Sequence, residues 1–337
     1  MNRLPVPERV RVSYGSALLL GLVRGVSVVA PTAVYLLTYH AGRCAANCTF
    51  CPQSRESSTR SDRLSRVVWP VFKTEEVVER LMDSWIAGRV ERVCIQSLNY
   101  GKMFRDVKGL VSSLRGKIEI PVSVSIKPLS ITQLEELKAL GVDRVSIPLD
   151  CANSSVFHSV KGLGAGGPYS WRTHWKGLKD ALRVFGPGRV GTHLIVGLGE
   201  TDRDLAEVFQ RLTDLGIFPG LFAFTPVQGT HLEGGSKVPI ARYRQVQLLH
   251  FLITRGMVRY VNLVFTGRGE LVDLGLPRRV LAETVKSGLP FRTSGCPGCN
   301  RPFYNEGPRG PLYNFPCPPG EKEINQIEDL LLGFNHD

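Results

Sequence analysis

Three cysteines, Cys44, Cys48 and Cys51, stand in Cys-x3-Cys-x2-Cys spacing inside a single ten-residue stretch from Arg43 to Pro52. A loop with that spacing can wrap three thiolates round three corners of a cubane [4Fe-4S] cluster, which leaves the fourth iron without a protein ligand. An open iron can bind and reduce a small chelating molecule, and Phe50, one position before the third cysteine, is placed to pack against it. A zinc knuckle or a disulfide loop is the alternative, but zinc asks for a fourth ligand and favours paired Cys-x2-Cys knuckles. The C-terminal stretch carries a second sulfur-rich group, Cys296-Pro297-Gly298-Cys299 followed by Cys317 between prolines. Three thiolates with a weaker or displaceable fourth ligand suit an auxiliary [4Fe-4S] cluster better than zinc, for which the tail adds only His336. The remaining cysteines are Cys94 and Cys151. Cys94 reads as a small buried hydrophobe, and Cys151 as either a fourth auxiliary ligand or an ordinary buried thiol.

These side chains need elements to hold them. Residues 34–39 form a β-branched and aromatic run, which reads as the first buried strand. The first cysteine loop follows at once, so its cluster is expected at the C-terminal end of that strand, the edge where (β/α) barrels place their chemistry. Residues 12–24 suggest a short helix, and the Ser- and Arg-rich residues 53–66 an exposed loop. Helix-then-strand units then repeat, with helices expected at 74–87, 105–114, 131–140, 173–184 and 202–215. The strands between and after them are expected at 92–97, 121–126, 144–149, 190–196 and 220–224. Strands alternating with amphipathic helices predict an α/β fold, a full or partial (β/α) TIM-like barrel with right-handed crossovers, against an open doubly wound sheet. A helix at 242–254 and a strand at 259–264 continue it. The expected organisation is an N-terminal helical extension at 1–29, the barrel at 30–289 and a Cys-rich C-terminal extension at 290–337.

The motif Cys44-x3-Cys48-x2-Cys51 resembles that of the radical S-adenosylmethionine (SAM) superfamily, in which the open iron holds the amino and carboxylate groups of SAM. Cys51-Pro52-Gln53, Arg92-Val93-Cys94, Leu149-Asp150, Arg172-Thr173 and Ile195 to Thr201 follow in the order and approximate spacing of biotin synthase. The resemblance implies a SAM site made by Phe50, Gln96, Asp150, Arg172, Ile195, Gly197, Gly199 and Glu200. In it Asp150 accepts from the ribose hydroxyls and Arg172 meets the methionyl carboxylate. Without that resemblance, Asp150 is equally a helix N-cap and Arg172 a surface ion pair. The likeness breaks at the second cluster of biotin synthase, a [2Fe-2S] centre held by three cysteines and an arginine. Of these only Cys94 matches; Ser123, Gly191 and Asn262 stand at the other three positions, with Arg268 near the arginine's place.

A biotin-synthase-like barrel that lacks those ligands but carries a C-terminal Cys-x2-Cys…Cys group is similar to the archaeal two-component lipoyl synthases. The run Gly295 to Asn305 carries most of that likeness. It implies two [4Fe-4S] clusters and SAM, with the auxiliary cluster on Cys296, Cys299 and Cys317 giving up sulfur to an octanoyl chain. Ser294, or Thr293, within Arg292-Thr293-Ser294, is the implied oxygen ligand. The implied partners are an octanoylated or mercapto-octanoylated lipoyl carrier protein (a lipoyl domain or a glycine-cleavage H protein), a paralogous radical SAM protein and an electron donor such as ferredoxin. Biotin synthase, another radical SAM sulfurtransferase and a non-catalytic iron-sulfur electron carrier are the rival readings.

Composition narrows the rest. The chain has 337 residues, 43% of them hydrophobic, enough for a substantial core. Eight cysteines in two clusters suit metal ligation in a reducing compartment rather than a disulfide framework. The net charge of +12 asks for an acidic partner, but the basic residues are dispersed and no RNA-binding signature is present, which argues for an acidic protein surface over nucleic acid. The apolar run at residues 17–23 is too short to span a bilayer, and no secretory signal precedes it, so no membrane association and a cytoplasmic location are expected.

Overall fold

The computed structural model describes residues 4–307 and 309–332. Six parallel strands run Ala33–Thr38 (β2), Arg92–Gln96 (β4), Val122–Ser125 (β5), Arg144–Ser146 (β6), Val190–Val196 (β7) and Phe218–Ala223 (β8). Two further strands, Arg9–Val12 (β1) and Val71–Lys73 (β3), extend the sheet beyond β2, and the spatial order is β8-β7-β6-β5-β4-β2-β1-β3. β1 lies antiparallel to both of its neighbours. β8 does not return to pair with β2, so the barrel is a partial one of six parallel strands, not a closed one.

The crossovers are helices, as a parallel sheet requires. Those at Thr74–Ile86, Met103–Arg115, Ile131–Ala139, Trp171–Phe185 and Asp202–Asp214 each bury one face on the sheet. In the last of these Leu205, Val208, Phe209 and Leu212 form the buried stripe at helical spacing. Its start is fixed by a capping box, in which Thr201 accepts from the Asp204 amide and the Asp204 carboxylate accepts from the Thr201 amide.

The inner face of the barrel follows from the two-residue period of a strand. Register places Tyr35 beside Cys94, Cys94 beside Ser123 and Ser123 beside Arg144. One layer nearer the C-terminal rim stand Leu37, Gln96, Ser125 and Ser146. The interior is therefore rich in small, polar and sulfur-bearing side chains. The aliphatic core lies outside the sheet, under the helices, where Val93, Ile95, Val122 and Val124 are fully buried.

Three expectations change. The strand expected at 259–264 is a 3-10 turn, Tyr260–Asn262, followed by a small hairpin that pairs Val264–Phe265 with Leu271–Asp273, and neither joins the barrel. The N-terminal helix is only Tyr14–Leu19, and the strand before it completes a sheet edge that periodicity did not reveal. Residues 53–66 are not a plain exposed loop: Gln53, Ser54, Ser57 and Thr59 are buried, and the loop is tied to Gly229 through its carbonyl, which accepts from the Ser57 hydroxyl and the Ser58 amide. The tail after Phe291 packs into the barrel. Ser294 Oγ accepts from the Leu221 amide at 2.8 Å, and Asn305 Nδ2 donates to the Ala223 carbonyl at 2.7 Å, capping the free edge of β8. The same segment reaches the start of β2, where the Thr32 amide donates to Asn300 Oδ1 at 2.9 Å.

Glu306 closes this tail beneath Arg66, Arg244, Arg301 and Tyr313, with one carboxylate oxygen unpartnered. Burial pushes its pKa up to about 7, against the opposing pull of those arginines and of a backbone hydrogen bond. The folded chain therefore holds a proton that the unfolded chain has released, and stability falls as pH rises from the ordinary carboxyl range through 7. Glu306→Gln should flatten that fall and raise stability at pH 8 by about 1–3 kcal/mol while changing little at pH 4, as read by denaturant titrations at both pH values.

Candidate active site inside the barrel

The loop after β2 turns Cys44, Cys48 and Cys51 toward a cavity at the C-terminal rim. Its path is fixed by backbone contacts to other rim loops: the Ala45 amide donates to the Asn99 carbonyl at 2.7 Å and the Thr49 amide to the Val160 carbonyl at 2.8 Å. Cys44 Sγ itself accepts from the Asn99 amide at 3.2 Å. The cavity has room for about 290 Å³ of water-sized occupants and runs from this loop down the inside of the barrel. Phe50, Gln96, Asp150 and Ile195 line it together with the three cysteines.

Burial pushes the Cys51 thiol up to about 12, with the neighbouring Cys44 sulfur adding to the rise, and Cys48 also stands well above the usual thiol range. Sulfurs in such a place remain thiolates only if cationic charge sits among them, which is what iron provides. The donor set thus fits a cubane with three protein ligands. No three His, Cys, Asp or Glu side chains among the described residues group as a single metal ion would need. A cubane asks for a wider grouping, because its ligated irons stand at separate corners.

Lys161 is the group that sequence reasoning missed. It is 4% exposed, lines the cavity, and its Nζ lies 2.6 Å from Asp150 Oδ2 and 2.5 Å from the Pro148 carbonyl. Burial acts to lower the pKa of its ammonium, but the Asp150 carboxylate and the Cys48 and Cys151 sulfurs outweigh that and hold it above the ordinary lysine value. It is the C-cap of a short helix, Ser154–Val160, which the sequence reading passed over. Asp150 itself has a positive φ of 65° and bridges to Leu194, so its side chain is aimed by the end of one strand and the middle of another.

Four of the expected SAM contacts lie elsewhere. Arg172 is exposed and off the cavity wall, because His174 and Trp175 take the buried face of the helix Trp171–Phe185 and turn it outward. Glu200 is buried behind the wall. Its carboxylate accepts from the Gly197 and Leu198 amides at 2.7 and 2.9 Å and pairs with Arg242 at 3.3 Å, so it holds the loop shape. Gly197 and Gly199 belong to that loop rather than to the lining, with φ of 101° and 115°.

The second cysteine group also differs from expectation. Cys296 and Cys299 line the inner end of the same cavity, and so does Cys94. Cys317 is exposed and apart from them, since Phe315, two residues earlier, is locked by hydrogen bonds to Phe291 and Thr293 and leaves the following Pro-rich turn at the surface. Ser294 spends its hydroxyl on the β8 edge, and Thr293 donates to the Asn300 carbonyl, so neither lines the cavity. Cys151 is packed with Phe157 and Val160 as an ordinary buried thiol. His336 lies outside the described residues. Ser123 and Gly191 do face the cavity, whereas Asn262 and Arg268 do not.

The Radical SAM superfamily model matches residues 38–212. Among curated proteins, the biotin synthase of Halorhodospira halophila is 27% identical over 245 residues, which are 71% of this chain and 69% of that protein. That of Synechococcus elongatus is 29% identical over 233 residues, 66% of this chain and 68% of its own length. Among solved structures, the FeFe-hydrogenase maturase HydG from Carboxydothermus hydrogenoformans superposes with a TM-score of 0.51 at 19% identity, over 66% of this chain and 51% of that one. Methylornithine synthase (PylB) superposes with a TM-score of 0.50 at 11% identity, over 67% and 63%. At these identities the structures speak for the shared α/β architecture with its mostly parallel sheet. Among the described residues no helix is long and apolar enough to cross a membrane.

Two substitutions test how the site is held. Lys161→Ala leaves the Asp150 carboxylate buried without its partner and should cost about 3–5 kcal/mol of stability in denaturant unfolding. At Gly197 an added Cβ would lie 2.4 Å from Val238 Cγ2 on backbone already at positive φ. Gly197→Ala should therefore cost about 1–3 kcal/mol in the same measurement.

Proposed function

The chain belongs to the radical SAM superfamily, and on that premise we propose that it inserts sulfur into an unactivated C–H bond as one component of a two-component lipoyl synthase. Membership brings with it one [4Fe-4S] cluster and SAM, and homology to biotin synthases brings a sulfur-inserting relative. The finer reading, with a second [4Fe-4S] cluster as sulfur donor and an octanoyl chain as acceptor, is supported by one observation above others. The rim cysteines and the inner cysteines open on one cavity, so both sets face the space that a single substrate would occupy.

A methylene C–H offers neither an acidic proton nor a leaving group, so acid-base catalysis alone cannot break it. When bound, the rim cluster and SAM would supply a radical able to abstract a hydrogen atom, and the second cluster would supply the sulfur and the electron acceptor that C–S bond formation needs. The chain's own residues bind, orient and exclude. Cys44, Cys48 and Cys51 would hold the reducing cluster. Phe50 would pack on the chelated methionine, and Asp150 would face the ribose, with Gln96 and Ile195 completing the wall. Lys161 takes the cationic place assigned to Arg172, close to the carboxylate that SAM would bring. Leu37, Leu98, Phe222 and Phe224 make much of the remaining lining apolar, which keeps water from the reacting carbon.

The partners follow as part of the proposal. An acyl arm on a carrier-protein lysine must enter at the rim, and a net charge of +12 steers an acidic carrier surface toward it. A paralogous radical SAM protein would perform the other insertion, and a ferredoxin-like donor would supply electrons. Biotin synthase is the second reading, favoured by the curated relatives; the thiol-free Ser123 and Gly191 at the barrel's inner positions weigh against it.

Anaerobic turnover with an octanoyl-lysyl peptide and, separately, its monothiolated form should give a mass gain of one sulfur on one of them, with no conversion of dethiobiotin. Cys44→Ala should abolish SAM cleavage under dithionite. Conversion of dethiobiotin alone would replace the lipoyl reading by the biotin one.

A further inference from the structure

We infer that Cys94, in the middle of β4, is the third thiolate of the second iron-sulfur site, together with Cys296 and Cys299, and that Cys317 has no part in it. This deepens the proposed function, since it names the ligands of the second cluster on which that reading rests.

Cys94 stands between Tyr35 on β2 and Ser123 on β5, each its direct partner across the sheet. Each of these two neighbours touches one of the tail cysteines: Tyr35 Oη lies 3.2 Å from Cys299 Sγ, and Ser123 Oγ lies 3.4 Å from Cys296 Sγ. Adjacent strands are about 4.8 Å apart, so the two tail sulfurs stand over the strands on either side of the Cys94 side chain. All three cysteines are half-buried and line the same inner end of the cavity.

The Cys-x2-Cys turn is fastened in that place rather than merely near it. Arg92, at the start of the strand that carries Cys94, donates from Nε to the Pro297 carbonyl at 2.8 Å and from Nη1 to Ser123 Oγ at 2.6 Å. Thr32 Oγ1 donates to the Gly298 carbonyl at 2.5 Å. Gly298 has φ 74°, and a Cβ there would fall on the Glu91 carboxylate, so this turn fits the barrel end only with glycine. Two thiols from the tail thus complete a set of which the barrel itself supplies one.

The test is iron and sulfide content after anaerobic reconstitution of the full chain. A variant with Cys44, Cys48 and Cys51 all changed to Ala should still hold about four irons, the second complement alone. Adding Cys94→Ala should remove them, whereas adding Cys317→Ala should leave them in place. To separate ligation from packing, Cys94→Ser in the same background should retain iron with altered Mössbauer parameters, because an oxygen replaces a sulfur on one iron. An ordinary packing role would leave the spectrum unchanged. Loss of iron with Cys317→Ala, retention of the unaltered signal with Cys94→Ala, or no iron in the triple variant would each overturn the inference. None of these readouts needs turnover. A chain that passes them yet leaves the octanoyl peptide unmodified keeps these ligands and loses the sulfur-insertion reading.

Discussion

Sulfur buried in a barrel carries a charge only when a cation is buried with it, and the arrangement of this interior follows from that constraint. Desolvation alone would keep Cys48, Cys51 and Cys94 protonated and poor as ligands. Each sulfur group has been given a fixed cation of its own. Lys161 offsets part of the burial at Cys48, and Arg301 and Arg92 do so at Cys94. These cations do not replace iron, but they lower the cost of forming thiolates before iron arrives. They also explain why the interior tolerates buried ionic groups such as Lys161 and Asp150, which a barrel built only for packing would avoid.

The same constraint accounts for the tail. Six parallel strands leave β8 with an unpaired edge, and an exposed edge of this length invites pairing with another chain. Ser294 and Asn305 satisfy the β8 backbone from one side while Asn300 binds Thr32 at the start of β2. One segment therefore caps the sheet and carries Cys296 and Cys299 inside. Arg301 sits in the middle of it, its guanidinium 3.9 Å from the centre of the Phe222 ring and its amide donating to Tyr35 Oη at 3.1 Å. Stability of the closure and geometry of the inner site are thus set by the same few contacts.

Much of this was legible in the chain before any coordinates. The rim loop declared itself by spacing, because three ligands on one loop need no tertiary information. The strands and helices of the barrel declared themselves by period, as in the buried stripe Leu205, Val208, Phe209 and Leu212. Residues whose roles depend on long-range register did not. Cys94 was marked only as the one match to a cluster ligand of biotin synthase, and only the fold shows that its neighbours Tyr35 and Ser123 meet Cys299 and Cys296 of the tail. The places of Arg172 and Glu200 were hidden for a related reason. Their chemistry suited a ligand, but helix phase turned the first to solvent, and the amides of Gly197 and Leu198 claimed the second. Lys161 caps the helix Ser154–Val160, which is too short for its period to stand out in the sequence. Glycine-rich and proline-rich segments hide their contacts from pattern reading, and that is where the missed residues cluster.

The vertical layout of the cavity bears on what kind of molecule it suits. The rim cysteines begin six residues beyond Thr38, the end of β2, whereas Cys94 is level with Tyr35, two residues below the Leu37 and Gln96 layer. A strand advances about 3.3 Å per residue, so the inner sulfurs lie on the order of 10 Å below the strand ends that carry the rim loop. On the proposed reading, a flexible acyl arm threaded from the rim would lie along Leu37, Phe222 and Ile195 and span the depth between the two groups. On the proposed reading the choice between neighbouring carbons then becomes a question of depth, set by how far the arm descends before its carrier meets the rim. A component specialised for one insertion needs only a fixed stop at that rim.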